Sequence, residues 1–268
     1  MNGSLFVYKE VIKVTTILSI QQLNYAFPSS RTPVFTGLSM DIREGEFVSV
    51  IGSSGCGKST LFKIIAGLLK PSGGQVILRG QSSAASRLGH IAYMPQQDLL
   101  LPWRTVLDNC LLPWELRRET GKEEAVQRIR GLLNRFGLSE LEMAYPPELS
   151  GGMKQRVAFL RTLVSGGNLM LLDEPFGALD ALTKRGMHRW LLELWGGLGK
   201  TVLFITHDLE EALLLSDRIY LMNGGSQPGL QELVVKLPRP RSYRINYDPQ
   251  FIALREELER RLHESHLL

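Results

Sequence analysis

Glu46-Phe-Val-Ser-Val-Ile-Gly52-Ser-Ser-Gly-Cys-Gly-Lys-Ser-Thr60 decides the fold. The apolar, β-branched run Glu46–Ile51 reads as a buried strand, and it empties into a glycine-rich loop. Leu61, Ile64, Ile65, Leu68 and Leu69 then recur at i, i+3, i+4, i+7 and i+8, one face of a helix that Pro71 and Gly73-Gly74 stop. In that strand–loop–helix context the loop is a phosphate cradle. Gly52, Gly55 and Gly57 let the backbone curl so that its N–H groups, those of Ser53, Ser54 and Cys56 among them, turn inward on phosphate oxygens. The positive end of the helix adds to the attraction. Lys58 has the reach for β- and γ-phosphates, the Ser59 hydroxyl can ligate Mg²⁺, and Thr60 completes the pattern. Without the strand and the helix, the same letters would spell a Gly/Ser turn with a surface lysine.

Four further runs of the same kind occur at His90–Met94, Leu169–Leu172, Thr201–Thr206 and Arg218–Met222. Strands that alternate with amphipathic helices predict a mainly parallel α/β sheet. Leu169-Met-Leu-Leu-Asp-Glu174 delivers two carboxylates at a strand's C-terminal end, where open α/β sheets bind their ligands. Beside a phosphate cradle this makes Asp173 a candidate metal holder and Glu174 a candidate general base for water. From Leu99 to Phe159 the strand signal vanishes, and Val126, Ile129, Leu133 and Phe136 line a helix face. We therefore place a helical lobe at residues 98–159, inserted into a core made of residues 18–97 and 160–223. Residues 1–17 read as a loose extension. Residues 224–268, after Gly224-Gly225, read as a short tail in which Leu237-Pro-Arg-Pro-Arg241 precedes a charged helix carrying Phe251, Leu254, Leu258 and Leu262.

A chain of 268 residues with 44% apolar and 22% charged side chains is globular and large enough for one α/β domain with an inserted lobe. Its 31 basic and 27 acidic side chains leave +4, too small an excess to demand nucleic acid. Two cysteines, Cys56 and Cys110, exclude a disulfide framework and favour a reducing compartment. No apolar run approaches the roughly 20 residues of a membrane span, and Val14–Ile20, broken by Thr15, Thr16 and Ser19, does not make a signal peptide. A cytoplasmic protein is expected, held at a membrane only through a partner.

Leu149-Ser-Gly-Gly-Met-Lys-Gln-Arg156 ends 17 residues ahead of Asp173. Ser150 can cap a helix whose first N–H groups sit under Gly151 and Gly152, a second anion-binding helix start. In this place and order the segment resembles the signature motif of ATP-binding-cassette (ABC) ATPases. Phe27, Gln96, Gly177-Ala-Leu-Asp180 and Thr206-His-Asp208 fall where that family has its adenine-stacking aromatic, Q-loop, D-loop and H-loop. The resemblance covers about residues 18 to 223. It implies a P-loop NTPase core of RecA type with an N-terminal antiparallel β subdomain and an inserted α-helical subdomain, binding ATP and Mg²⁺. It further implies that Phe27 stacks on adenine, with Tyr25 the second candidate. Gln96, rather than the adjacent Gln97, would touch Mg²⁺ or the attacking water and link ATP to the lobe, and His207 would contact the γ-phosphate. Ser150, Gly151, Gly152 and Gln155 would complete the site of an opposite subunit, with Asp180 acting across the same interface, so that two copies sandwich ATP.

A single free cassette resembles the ATPase subunit of a bacterial importer, peripheral on the cytoplasmic face of the membrane, working with a permease and indirectly with an extracytoplasmic binding protein. Leu100-Leu-Pro-Trp-Arg104, Phe176-Gly-Ala-Leu-Asp-Ala181 and Leu237–Arg241 resemble the nitrate/sulfonate/taurine branch, which includes carriers of thiamine-precursor pyrimidines. Arg161-Thr162 and Ser165-Gly-Gly-Asn168 depart from that branch beside the signature helix, away from any catalytic position. A soluble ABC regulator acting on protein or nucleic acid is the alternative, and it predicts a concentrated basic surface where this chain has dispersed charge. Leu99, Leu100, Leu101, Pro102, Trp103 and Trp114 are either a wall for a permease helix or filling for the lobe's own core.

Overall fold

The five apolar runs are the five parallel strands of one sheet. In the computed structural model, which describes residues 15–30, 32–117, 121–223 and 229–266, these strands are β3 (Phe47–Gly52), β5 (Ile91–Met94), β6 (Leu169–Asp173), β7 (Thr201–Ile205) and β8 (Arg218–Asn223). The order is β5-β6-β7-β3-β8-β9, with β9 (Gly229–Val234) closing the edge antiparallel to β8. Continuous apolar runs suit strands covered on both faces, and β6 and β7 are buried along their whole lengths. Register sets the functional geometry. Val50 pairs with Ile205 and Ile205 with Asp173, so β3, β7 and β6 end level, at the edge where the glycine-rich loop departs.

A second, antiparallel sheet has the order β2-β1-β4, from β1 (Thr16–Tyr25), β2 (Phe35–Arg43) and β4 (Gly73–Leu78). The strand β1 begins at Thr16, so the boundary expected at residue 17 falls inside it; residues 1–14 of the expected extension lie outside the described residues. The helix after the loop, α1 (Lys58–Ile65), is shorter than its periodicity suggested. Gly67 turns the chain at φ +84°, so Leu68 lies beyond the helix and is exposed.

The helical lobe holds α2 (Val106–Arg117), α3 (Lys122–Arg135) and α4 (Gly151–Val164), with Ile129, Leu133 and Phe136 buried as expected. The boundary drawn at 159/160 cuts through α4, which runs unbroken into the core: Val157, Phe159, Leu160 and Leu163 are buried in the same cluster as Leu172 and Phe204 of the parallel sheet. Into the same cluster pack α5 (Ala181–Leu198), through Met187 and Leu191, and α6 (Leu209–Leu215), through Leu214 and Leu215. Gly224-Gly225 falls outside the described residues, and the segment from β9 onward, expected as a short tail, packs onto the core. Phe251 and Leu258 of α7 (Pro249–His266) are buried against Ile51, Leu213 and Ile219.

Candidate nucleotide site

The loop between β3 and α1 is built so tightly that two of its glycines admit no other residue. A Cβ on Gly52 would drive into the Met222 carbonyl, and one on Gly57, at φ +105°, would lie 2.6 Å from Val34 Cγ1. Gly55 shares the left-handed backbone at φ +82° but faces open space. Cys56 turns its side chain inward and is buried, and its N–H bonds the Ser53 carbonyl at 3.4 Å. Lys58 Nζ donates to the Gly52 and Ser53 carbonyls at 2.8 Å each, which braces the loop and holds the ammonium over it.

Across the sheet end, Ser59 Oγ donates to Asp173 Oδ1 at 3.2 Å, joining the two residues expected to share a cation. Burial pushes the Asp173 carboxyl above its ordinary range, against the Ser59 hydrogen bond that lowers it. A buried acid of this kind gains from a nearby cation. Among the described residues no three or more of His, Cys, Asp and Glu are placed to hold a metal ion together. The hydroxyl and carboxylate that are present suit Mg²⁺, which takes few protein ligands and keeps water and phosphate oxygens.

Glu174 follows at φ +48°, a conformation that costs a non-glycine residue of order 1 kcal/mol and persists only where its surroundings fix it. They do. Its N–H bonds the Ile205 carbonyl at 3.0 Å, and its carbonyl accepts from Gly177 N–H at 3.2 Å and Gln155 Nε2 at 3.1 Å. The carboxylate is thereby turned to the edge of the site, where Oε2 lies 3.4 Å from His207 Nδ1 and 3.5 Å from Gln96 Nε2. The structure thus brings Gln96, Glu174 and His207 together at one carboxylate oxygen. Gln97 makes no such contact. Tyr25 is buried and Phe27 exposed, edge-on to it with ring centroids 5.2 Å apart, which leaves Phe27 free to stack.

The signature residues lie elsewhere on the chain. Ser150 caps α4 as the sequence suggested, its Oγ accepting from Met153 N–H at 3.3 Å, and Gly151 is exposed. Asp180 caps α5 through Leu182 and Thr183 N–H and remains exposed. Gln155 departs from expectation. It is buried, and its side chain ties α4 to the Glu174 and Ala178 backbone of its own chain, so it does not face outward for an opposite subunit.

Sequence reading also missed a clamp. Arg161, noted there only as a departure, donates to the Asp98 and Leu99 carbonyls at 2.6 and 2.8 Å and so fixes the segment after Gln96. Buried Asn109 pins the same segment through the N–H and the carbonyl of Leu101. Leu100 is core, whereas Leu99 and Trp103 are exposed, Trp103 by 71%. The only cue to Arg161 was a cation within the otherwise uncharged second half of α4, Val157–Val164.

Comparison with known proteins gives the family. The ABC transporter family matches residues 35–177. The formylaminopyrimidine import ATP-binding protein ThiZ of Halalkalibacterium halodurans is 45% identical over 222 residues, covering 83% of this chain and 86% of that protein. The aliphatic sulfonates import ATP-binding protein SsuB 2 of Streptomyces avermitilis is 44% identical over 239 residues, covering 89% of this chain and 88% of that protein. Among solved structures, the dimeric post-hydrolysis state of the ATP-binding cassette MJ0796 bound to ADP and Pi superposes with a TM-score of 0.74 at 30% identity, covering 82% of this chain and all of that one. With a phosphate loop, two carboxylates and a capped signature helix on one matching scaffold, the chain belongs to the ABC transporter family and is one of its ATP-binding cassettes, an ATPase.

Proposed function

We propose that this ATPase is the energy-supplying subunit of an importer for a small solute, and that it hydrolyses MgATP between two copies of itself. The observation that carries the reading is the meeting of Gln96, Glu174 and His207 at one oxygen, level with the phosphate loop. Lys58 and the loop N–H groups bind the phosphates, and Phe27 takes the adenine. Ser59, Asp173 and Gln96 would hold Mg²⁺, which supplies charge neutralisation on the phosphate oxygens. Glu174 accepts at Oε2 the proton of a water attacking the γ-phosphorus as the bond to the β-phosphate oxygen breaks and ADP leaves with phosphate as the second product, while Gln96 and His207 orient water and phosphate. Ser150, Gly151 and Gly152 act on the nucleotide of the opposite copy, as does Asp180. The dimer form of the related cassette supports this.

No helix among the described residues is long and apolar enough to cross a membrane. Coupling therefore falls to permease subunits, seated against Leu99 and Trp103 beside Gln96. The two named import proteins make sulfonate- or pyrimidine-like solutes the class to try first, with nitrate-like solutes next by the branch resemblance, delivered by a binding protein outside the cell. The sandwich is tested by the dependence of hydrolysis on subunit concentration. The expected rate per subunit rises with concentration at high dilution and then levels off. A rate per subunit that is constant throughout contradicts it.

A further inference from the structure

Behind His207 runs a buried polar chain that reaches the C-terminal segment. Glu211 on α6 is 4% exposed and His188 on α5 is 1% exposed. One Glu211 oxygen, Oε2, accepts the Thr206 hydroxyl at 2.5 Å; Thr206 Oγ1 in turn accepts the Asp208 N–H at 3.0 Å. These two bonds hold the residues on either side of His207, whose own side chain projects towards Glu174. The other oxygen, Oε1, lies 2.6 Å from Lys184 Nζ and 3.2 Å from His188 Nε2. Lys184 also reaches Asp208, the residue that caps α6, at 3.3 Å. On its far side His188 Nδ1 meets Tyr243 Oη at 2.5 Å, with the two rings stacked at 16°. Phe176, two residues after Glu174, packs on His188 with centroids 4.8 Å apart, and Arg185 covers the Tyr243 ring at 5.3 Å.

A buried carboxylate is costly unless its partners hold it, and an apolar residue would fill the same space at less expense. Glu211 spends its hydrogen bonds on the strand-to-helix turn that presents His207, not on packing. Burial pushes its carboxyl up, but His188, Lys184 and the Thr206 hydroxyl around it outweigh that and bring it down to about 2, so it is ionised at neutral pH. Burial pushes the Tyr243 hydroxyl up to about 12, so it stays a donor. His188 thus lies between the two, 2.5 Å from Tyr243 Oη through Nδ1 and 3.2 Å from Glu211 Oε1 through Nε2.

We propose that Glu211 is a positioning residue for His207, and that His188 and Tyr243 lock it in place, so that the C-terminal segment sets the γ-phosphate contact. This rests on the role of His207 given above. The test uses full-length chain and single-turnover phosphate release, with Glu211→Gln, Tyr243→Phe and His207→Ala alone and combined. Glu211→Gln is expected to lower the hydrolysis rate about tenfold and Tyr243→Phe about threefold, with ATP affinity within about twofold. In the His207→Ala background neither change is expected to cost more, because coupled residues are not additive. Should His207→Ala hydrolyse normally, the role of His207 fails first. If His207→Ala is slow while Glu211→Gln and Tyr243→Phe are normal, the positioning role alone is overturned. Equal losses with and without His207 also overturn it, since they would mark a purely structural role. Should Glu211→Gln fail to fold, Tyr243→Phe, which deletes one oxygen, decides.

Discussion

Trp103→Glu separates docking from folding. Trp103 is 71% exposed, and its segment is fixed from below by Arg161 and Asn109 rather than by the indole. Removing an exposed ring that supports nothing beneath it should change stability by less than about 0.5 kcal/mol. The cost belongs to the complex. Roughly 140 Å² of this side chain is available to be covered, worth about 3.5 kcal/mol at ~25 cal/mol/Å². After the ordering costs of association about 2–3 kcal/mol survives, a 30- to 150-fold weaker complex by order of magnitude. The assay pairs a thermal melt and ATP calorimetry of the isolated chain with its affinity for detergent-purified permease. Unchanged melting and ATP binding with a large loss of permease affinity is expected. A collapse in melting temperature would make the segment core, and undiminished permease affinity would place docking elsewhere on the lobe.

Lys58→Ala removes the brace on the Gly52 and Ser53 carbonyls and, with it, the proposed phosphate contact, so calorimetry should show ATP binding weakened at least about tenfold; unchanged affinity refutes the cradle. Gly52→Ala forces a methyl into the Met222 carbonyl, and nucleotide binding should fall far more than for Gly55→Ala, whose methyl meets open space. Asp173→Asn should abolish hydrolysis yet raise the melting temperature of the nucleotide-free chain at pH 7. The folded carboxyl is raised, so ionisation opposes folding above the unfolded value, and the gap should close as pH falls into the ordinary aspartate range. A lower melting temperature for Asp173→Asn at pH 7 contradicts that sign.

The parallel strands and the cradle were legible because both depend on local pattern: period, glycine placement and a lysine at a fixed offset. The placing of Asp173 and Glu174 at a strand's C-terminal end was legible from the apolar run that carries them. The small antiparallel sheet was visible only through family resemblance, because β1 and β2 carry register shifts that break clean alternation. The boundary at 159/160 failed because α4 serves lobe and core with one continuous helix, and sequence period cannot mark where a helix changes neighbours. Gln155 failed for a related reason. Its motif fixes which residue stands there, but its direction depends on the Glu174–Ala178 turn, which is remote in sequence. The chain from Thr206 through Glu211 and His188 to Tyr243 joins four elements, and no spacing rule connects them.

Glu174→Gln isolates the proposed transfer of a proton from the attacking water to Glu174. An amide keeps the shape and the contacts to Gln96 and His207 but cannot accept that proton. The measurement is steady-state phosphate release beside ATP affinity and mass by light scattering. The expected result is hydrolysis lower by at least about a hundredfold, ATP affinity retained, and an ATP-bound dimer that persists. Hydrolysis at the parent rate would contradict the account and move the base to another group.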